Sequence, residues 1–315
     1  MKYKLLILGC GNIGALYDWD NDAVLTHIKS FSKHGSFEIS CYDTNEEILE
    51  RVCKRYSAYK VTTVSVDLFR RFDVVSVCTP TFTHETILTD LFLAEVPLIL
   101  CEKPISDNLS SLENLAEQYK KSKSKVIVNY MRRFQPDFIL LAKEIQKQQK
   151  KDPLTSLAIR YQRGMINNCS HAFDLLSFLF AREIRLDGVV AGPKVFDHFD
   201  NDPTFSLIAN WNEVFVNIMG LPNVRFSHFE IDIFFSHHKI AIRDSGNTID
   251  WFFAPESTVF LKPVELISAK SRRDCIKDYM VGVCEYTYEL LKNPGKSDNF
   301  MNVFEMNKSI INLIN

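Results

Sequence analysis

The stretch that decides the fold is "YKLLILGCGNIG", residues 3–14. Its first half, residues 3–8, is a continuous apolar run of the kind that forms a buried strand. Three glycines follow with the spacing G-x-G-x-x-G, which allows a tight turn at Gly9, close approach of a phosphate at Gly11 and close helix–strand packing at Gly14. The stretch therefore predicts a strand, a dinucleotide-binding turn and a helix.

The segment that follows predicts where the phosphates bind. The first amide groups of a helix have no intrahelical acceptor, so we expect Asn12 and Ile13 to face a pyrophosphate. The segment from residue 12 to residue 35 is predicted as a long turn followed by a helix.

The same letters also resemble a secretion leader, with a basic start and the run "LLILGC" ending at Cys10. We favour the strand, because a removed leader would take the first strand from a series of βα units. The residues after Cys10 also enter a helix instead of a polar tether. We expect a cytoplasmic protein.

Composition excludes several classes of protein. Of the 315 residues, 46% are hydrophobic and 24% are charged, which is typical of a soluble globular protein. The net charge of -2 provides no attraction to nucleic acid or an anionic membrane, so neither partner is expected. The 8 cysteines form no C-x-x-C pair, which favours buried thiols in a reducing compartment and no metal site.

The rhythm of the chain predicts an α/β protein with two domains. Strand and helix patterns alternate in residues 1–130, and Thr44 with Glu47 and Ser110 with Glu113 have capping-box spacing. We expect a Rossmann dinucleotide-binding domain with a parallel sheet there. Residues 131–315 contain helix patterns and a series of short strands, which predict an α+β domain with a mostly antiparallel open sheet for substrate binding and oligomerisation.

Asp43 closes the second predicted strand, in "FEISCYD", and is placed to bind the adenosine ribose hydroxyls. It lies 29 residues beyond Gly14 (43 − 14), later than the usual ~20, because "YDWDNDAVLTH" lengthens the first unit. A carboxylate repels a 2′-phosphate, so Asp43 favours NAD, although Thr44 and Asn45 leave NADP open. The alternative is a turn or N-cap aspartate.

Two strands end in unusual tails, "CTPTFTHE" (78–85) and "LILCEKPIS" (98–106). With the glycine turn and "SHAFD" (170–174), they resemble the glucose–fructose oxidoreductase / inositol dehydrogenase / MocA (Gfo/Idh/MocA) family over nearly the whole chain. The resemblance implies an NAD(P)-dependent oxidoreductase that acts on CH–OH groups of a small sugar-type molecule. It also implies a homodimer or homotetramer.

The resemblance assigns roles at the ends of the strands. Lys103 would lie by the nicotinamide and the substrate, and Glu102 would help to hold the cofactor. An ordinary lysine, at a pKa of ~10.4, is a poor base at neutral pH, but burial lowers that value. Thr79, Pro80 and His84 would line the nicotinamide side, although His84 can instead cap its helix. Pro104 is a candidate for a cis peptide bond.

In the second domain, the family usually has an aspartate, a glycine, a histidine and a further aspartate. Here Asn167 and Cys169 replace the first two, while His171 and Asp174 match. His171 can bind the reacting hydroxyl or relay its proton. Asn167 can bind a sugar hydroxyl or orient Lys103 but cannot act as a carboxylate. Asn168 is a further candidate for substrate binding, and Asp174 is expected to be structural.

The bridge "NYMRRF" (129–134) completes the predicted site. Tyr130 can contact a sugar, and Arg132 or Arg133 can bind a carboxylate or phosphate, or else form an interdomain salt bridge. The predicted function is hydride transfer between nicotinamide and a sugar or sugar derivative, with a sugar nucleotide as one possibility. The alternatives are a non-catalytic, cofactor-binding regulator and a reductase of a non-sugar substrate.

Overall fold

The computed structural model describes residues 2–256, 264–293 and 295–314. The chain divides into two compact units. The first consists of Met1–Phe134 with Asp278–Ile311, and the second of Gln135–Lys277 with Asn312–Asn315. Within the described residues, no helix is long and apolar enough to cross a membrane.

The first unit contains a six-stranded sheet in which every pair of neighbours is parallel. Its strands are β1 (Tyr3–Leu8), β2 (Phe37–Tyr42), β3 (Tyr59–Lys60), β4 (Val74–Val77), β5 (Leu98–Cys101) and β6 (Lys125–Val128). The order β3-β2-β1-β4-β5-β6 is that of a Rossmann sheet, as predicted. The order reverses between β1 and β4, and ligands bind such sheets beyond the carboxyl ends at this point.

Five helices connect these strands: α1 (His27–His34), α2 (Glu46–Tyr56), α3 (Val66–Phe69), α4 (His84–Leu93) and α5 (Leu109–Lys121). A single helical turn, Asn12–Leu16, begins directly after Gly11 and contains Gly14, and a loop separates it from α1. The buried Asp18 carboxylate holds this loop, accepting hydrogen bonds from the amides of Leu25 (2.6 Å) and Thr26 (2.9 Å). These bonds satisfy backbone groups that a continuous helix would otherwise pair.

Two helices begin near the predicted capping boxes but at other residues. Asn45 caps α2 by accepting from the amide of Ile48 at 3.1 Å, and Asn108 caps α5 by accepting from Ser111 at 3.1 Å. Thr44 and Ser110 were the predicted caps. Asparagine is at least as good an N-cap as serine or threonine, so spacing to a glutamate could not choose between neighbouring candidates.

The second unit contains α6 (Pro136–Gln148), α7 (Ser170–Phe180) and an eight-stranded sheet. Its strands are β7 (Leu154–Tyr161), β8 (Asp187–Ala191), β9 (Leu207–Trp211), β10 (Val214–Gly220), β11 (Phe229–Phe235), β12 (His238–Arg243), β13 (Thr248–Phe253) and β14 (Ile267–Arg272). Among the described residues of this unit, only β7 and β10 pair in parallel, so the sheet is mostly antiparallel, as predicted. Helix α7 packs on one face, where Phe180 contacts Trp211 edge to face at 5.5 Å.

The chain then returns to the first unit with α8 (Met280–Lys292) and α9 (Phe300–Ile314). This differs from the expected division, in which all of residues 131–315 formed one domain. The two residues before α9 provide a reason. Asp298 accepts from the amide of Val126 at 2.7 Å, and Asn299 bonds both the amide (2.8 Å) and the carbonyl (2.9 Å) of Val128. They thereby cover the outer edge of β6, whose backbone groups need partners.

We expect Asn299→Ala to lower the free energy of unfolding by about 3 kcal/mol, because it leaves two buried backbone groups of Val128 without partners. Chemical denaturation followed by circular dichroism measures the change. Asn302→Ala, at an exposed position of α9, is the control and should change stability little. Equal effects of the two variants would contradict this role of Asn299.

Candidate functional site

A cleft of about 470 Å³ opens in the first unit at the carboxyl ends of β1, β2 and β4. Among the predicted cofactor contacts, it is lined by Gly9, Gly11, Asn12, Ile13, Asp43, Thr79 and Pro80. It is also lined by Thr44, which the sequence analysis placed beside the ribose site, and by three residues to which it gave no role: Tyr17, Tyr42 and Cys78. Tyr42 and Cys78 are direct neighbours of predicted contacts, whereas Tyr17 follows the helical turn after β1 and no motif marks it.

The three glycines of the turn have different geometric needs. Gly9 has φ +92°, a conformation that other residues rarely adopt. A Cβ at Gly14 would lie 2.1 Å from the carbonyl oxygen of Gly9, so the helical turn packs directly on the strand end. A Cβ at Gly11 would meet nothing within 4 Å. The space at Gly11 is therefore not needed by the fold and fits a ligand phosphate that approaches the backbone.

Asp43 has a structural contact as well as a place in the cleft. Its Oδ2 accepts from the amide of Cys10 at 2.7 Å, and its Oδ1 accepts from the amide of Asn45 at 2.7 Å. It thus ties the glycine turn to the end of β2. Each carboxylate oxygen has two acceptor positions, so these bonds leave Asp43 able to accept from ribose hydroxyls too.

Glu102, at the end of β5, is part of a buried network that sequence reasoning missed. Its Oε1 lies 2.8 Å from Nε2 of His27 and accepts from Nδ2 of Asn129 at 2.6 Å. The His27 side chain is 0% exposed, and its Nδ1 lies 2.7 Å from the hydroxyl of Ser76. No sequence signal pairs His27 with Glu102, because the two are 75 residues apart.

The network is charged at neutral pH. Burial opposes ionisation of Glu102, but the hydrogen bond and charge of His27, the amide of Asn129 and the charge of Lys103 lower the pKa of its carboxyl. Burial likewise opposes the charged form of His27, but its contacts with Cys78 and Glu102 raise the pKa of the imidazole to about 10. His27 and Glu102 therefore form a buried ion pair next to Lys103.

His84 is placed differently from its predicted role. It is 1% exposed and does not line the cleft. Its Nε2 lies 3.0 Å from the carbonyl oxygen of Thr79, and its Nδ1 lies 3.0 Å from that of Pro104. Burial lowers the pKa of His84 despite these bonds. His84 therefore connects the two tails that carry Thr79 and Lys103. The Lys103–Pro104 peptide bond is cis.

The bridge residues also depart from the prediction. Tyr130 is 1% exposed, and its hydroxyl donates to Oδ1 of Asn307 in α9 at 3.3 Å. This burial leaves Tyr130 no surface for a sugar, so its predicted substrate contact is corrected to a structural one. Arg132 is buried and Arg133 is partly exposed on the turn Met131–Phe134. Neither arginine lines the cleft.

In the second unit, a helical turn Met165–Cys169 leads directly into α7, whose second residue is His171. The buried Asp202 holds the start of this turn, accepting from the amides of Ile166 (2.7 Å) and Asn167 (2.8 Å). Asp202 was also missed from the sequence, because it lies in an irregular loop far along the chain.

The side-chain amides of this turn donate to backbone carbonyls a few residues earlier in the chain. Nδ2 of Asn167 donates to the carbonyl of Arg163 at 3.1 Å, and Nδ2 of Asn168 donates to that of Gln162 at 2.7 Å. Both residues and His171 remain partly exposed. Cys169 is buried, which raises the pKa of its thiol and keeps it protonated. Across the described ranges, no group of three or more His, Cys, Asp or Glu side chains is arranged to hold a metal ion.

Comparison with known proteins gives a family match for the first unit and fold matches for the whole chain. Residues 3–130 match the family described as "Oxidoreductase family, NAD-binding Rossmann fold". An inositol 2-dehydrogenase from Pseudarthrobacter chlorophenolicus is 27% identical over 172 residues. That match spans 50% of this chain and only 50% of the length of the dehydrogenase.

Two solved structures share the fold over both units at low identity. UDP-N-acetylglucosamine 3-dehydrogenase GnnA from Acidithiobacillus ferrooxidans has a TM-score of 0.73 and 16% identity, covering 99% of this chain and 96% of that one. A super-repressor mutant of Gal80p from Saccharomyces cerevisiae has a TM-score of 0.75 and 12% identity, covering 98% and 95%. At these identities the matches establish the fold alone.

Proposed function

We propose that the protein is an NAD(H)-dependent oxidoreductase of the Gfo/Idh/MocA family, which its motifs resemble and whose model matches residues 3–130, and that it acts on a sugar or sugar derivative. The observation that carries the proposal is the cleft of the first unit, with open space at Gly11. The E-K-P tail at the end of the adjoining strand β5 provides the group for proton transfer.

The cleft fits the parts of a dinucleotide. We assign the pyrophosphate to Gly11, Asn12 and Ile13, the adenosine ribose to Asp43, and the nicotinamide side to Thr79 and Pro80. When bound there, the nicotinamide ring accepts or returns a hydride at C4. Glu102 supports this site through the tail of β5.

Lys103 is proposed to exchange the proton. In the oxidation direction, the C–H bond of the alcohol carbon breaks and the hydrogen leaves with the electron pair as hydride. The O–H proton passes to the Lys103 amine and a C=O bond forms, so the charges balance. We propose His171 as the partner that binds the reacting hydroxyl, and Asn167 and Asn168 as further substrate contacts. These second-unit roles rest on the sequence resemblance.

The proposed substrates are polyols and sugars, including sugar nucleotides. The names of the relatives support this class, since one is an inositol dehydrogenase and another a UDP-N-acetylglucosamine dehydrogenase. The test is a panel of inositols, free sugars and UDP-sugars incubated with NAD and NADP, with reduced cofactor followed at 340 nm. Turnover of at least one member that is lost in Lys103→Met supports the proposal.

A cofactor-bound regulator is the second candidate, and the observation that favours it is Asn167 in place of the usual acid. The solved structure of Gal80p is that of a super-repressor mutant, so the same fold occurs in a repressor. NADH binding without turnover across the whole panel, in both directions, would favour the regulator.

We further propose a cytoplasmic location, because all eight cysteines are buried free thiols. We also propose a homodimer or homotetramer, because the open face of the second sheet exposes Ile208, Phe215 and Met219. Light scattering of the purified protein measures its mass.

We expect Asp43→Asn to lower NADH affinity about tenfold, because a charge-assisted acceptor for the ribose hydroxyls is lost. The ratio of NADH to NADPH affinity should fall further, since the carboxylate no longer repels a 2′-phosphate. Fluorescence titration with each cofactor gives this ratio, which a general loss of stability does not change. Glu38→Gln, at an exposed position of β2, is the control. An unchanged ratio in Asp43→Asn would rule out the ribose role.

A further inference from the structure

The function proposed above gives His27 no role of its own. Its side chain nevertheless pairs with Glu102, the residue that precedes Lys103. Its ring is fully buried, and both nitrogens are engaged, Nε2 with Glu102 at 2.8 Å and Nδ1 with Ser76 at 2.7 Å. An imidazolium can donate from both nitrogens, to the carboxylate and to the hydroxyl oxygen. Asn129 donates to the same carboxylate oxygen at 2.6 Å.

The groups around Glu102 come from several elements of the first unit. They are His27 at the start of α1, Cys78 after β4, His84 at the start of α4, Cys101 in β5, Lys103 after β5, and Tyr279 before α8. Burial keeps three of them neutral, because it lowers the pKa of His84 and raises the pKa of Cys101 and Tyr279. Tyr279 in turn faces Tyr17, Asp18 and Arg132.

Of these groups, His27 and Lys103 are the two whose positive charges favour the carboxylate form of Glu102, while Cys78 acts on His27 itself. A buried carboxylate alone would hold the proton on a neighbouring lysine, since an opposite charge favours the ammonium form. Paired with an imidazolium, the same carboxylate is part of a neutral unit. The pair is nearly shielded from water, so the charge of each partner acts strongly on its neighbours.

We propose that His27 is a positioning residue for Lys103: its imidazolium cancels and fixes the Glu102 carboxylate, so that the lysine exchanges its proton beside a neutral pair. The inference rests on the proposed function, in which Lys103 is the proton donor and acceptor. This role explains why a histidine is buried next to Glu102. An uncharged side chain of similar size would be enough if the position were needed only for packing.

The test is a titration of Lys103 in protein labelled with ¹³C-lysine, without cofactor, with its ε-carbon signal assigned by its loss in Lys103→Arg. In His27→Gln the pKa of Lys103 should rise by about one unit or more, since a positive charge is removed and the Glu102 anion is left uncompensated. The pH at which turnover reaches half its maximum in the oxidation direction should rise equally. At pH 7, that is about a tenfold loss of the reactive amine.

Two further variants separate charge from structure. His34→Gln is the matched control, because His34 lies on the same helix and 3.6 Å from Glu285, outside the site. It should leave the titration of Lys103 unchanged. The double variant His27→Gln/Glu102→Gln restores a neutral pair and should return the pKa of Lys103 to its wild-type value, which a purely structural role of His27 would not do.

The inference is overturned if Lys103 titrates alike in wild type and His27→Gln, whatever the turnover. If His27→Gln does not fold, ¹⁵N signals of the wild-type His27 ring decide, because the inference requires that ring to be an imidazolium at pH 7. A neutral ring at pH 7 overturns the inference. A wild-type protein without turnover would instead count against the proposed function, and the two failures are thus distinct.

Discussion

Lys103→Met is expected to lower turnover about a thousandfold while NADH affinity changes less than threefold, in line with the usual contribution of a positioned acid–base group. Methionine keeps the length of the side chain but cannot exchange a proton. Lys103 is partly buried just after β5. The backbone next to it is held by His84, whose Nδ1 lies 3.0 Å from the carbonyl oxygen of Pro104. Steady-state kinetics on whichever substrate the panel identifies, with NADH fluorescence titration, measures both quantities.

Lys120→Met provides the control for this change. Lys120 is an exposed lysine of α5 that pairs with Glu117, so its loss should alter neither turnover nor binding. Retention of more than a third of wild-type turnover by Lys103→Met would show that this lysine does not exchange the proton. Loss of NADH binding in the same variant would place the lysine in cofactor binding instead.

Gly14→Ala should cost about 2–4 kcal/mol in the free energy of unfolding. The added Cβ would lie 2.1 Å from the carbonyl oxygen of Gly9 and 3.1 Å from its carbonyl carbon, and these backbone atoms cannot move without displacing the strand end. Thermal melting and urea denaturation measure the loss. We also expect NADH binding to fail, because the turn that forms the cleft must shift.

Gly11→Ala is the matched comparison, since its Cβ would meet no atom within 4 Å. It should keep wild-type stability to within about 0.5 kcal/mol and still lose NADH affinity by at least tenfold. Equal stability losses in the two variants would contradict the separate roles of the two glycines, one in packing and one in phosphate approach.

The features that the sequence predicted well are local. The glycine turn and the strand that precedes it are contiguous, and their residues have one geometric use whatever surrounds them. The alternation of βα units likewise predicted the parallel sheet, because strands buried on both faces are apolar throughout. The mostly antiparallel second sheet followed from short strands separated by short turns.

The features that it missed depend on pairs far apart in the chain. His27 meets Glu102 across 75 residues, and Asp202 holds the turn at Asn167 across 35. Nothing in the neighbourhood of either residue specifies its partner. Helix α9 returns to the edge of β6 for the same kind of reason, since Asn299 and Val128 are 171 residues apart.

Tyr130 shows a further limit. Its sequence context, next to two arginines, resembled a ligand-binding segment, but its ring is buried and its hydroxyl is bonded to Asn307. Amphipathic side chains such as tyrosine are equally suited to both environments. Only the packing of α9 decides between them.

The most direct test of the dinucleotide site is a fluorescence titration of the purified wild-type protein with NADH and, separately, NADPH, with Gly11→Ala measured alongside. We expect saturable binding of NADH, tighter than that of NADPH, and loss of that binding in Gly11→Ala at unchanged stability. If neither cofactor binds and none has co-purified with the protein, the glycine turn is only scaffold and the proposed oxidoreductase function is wrong.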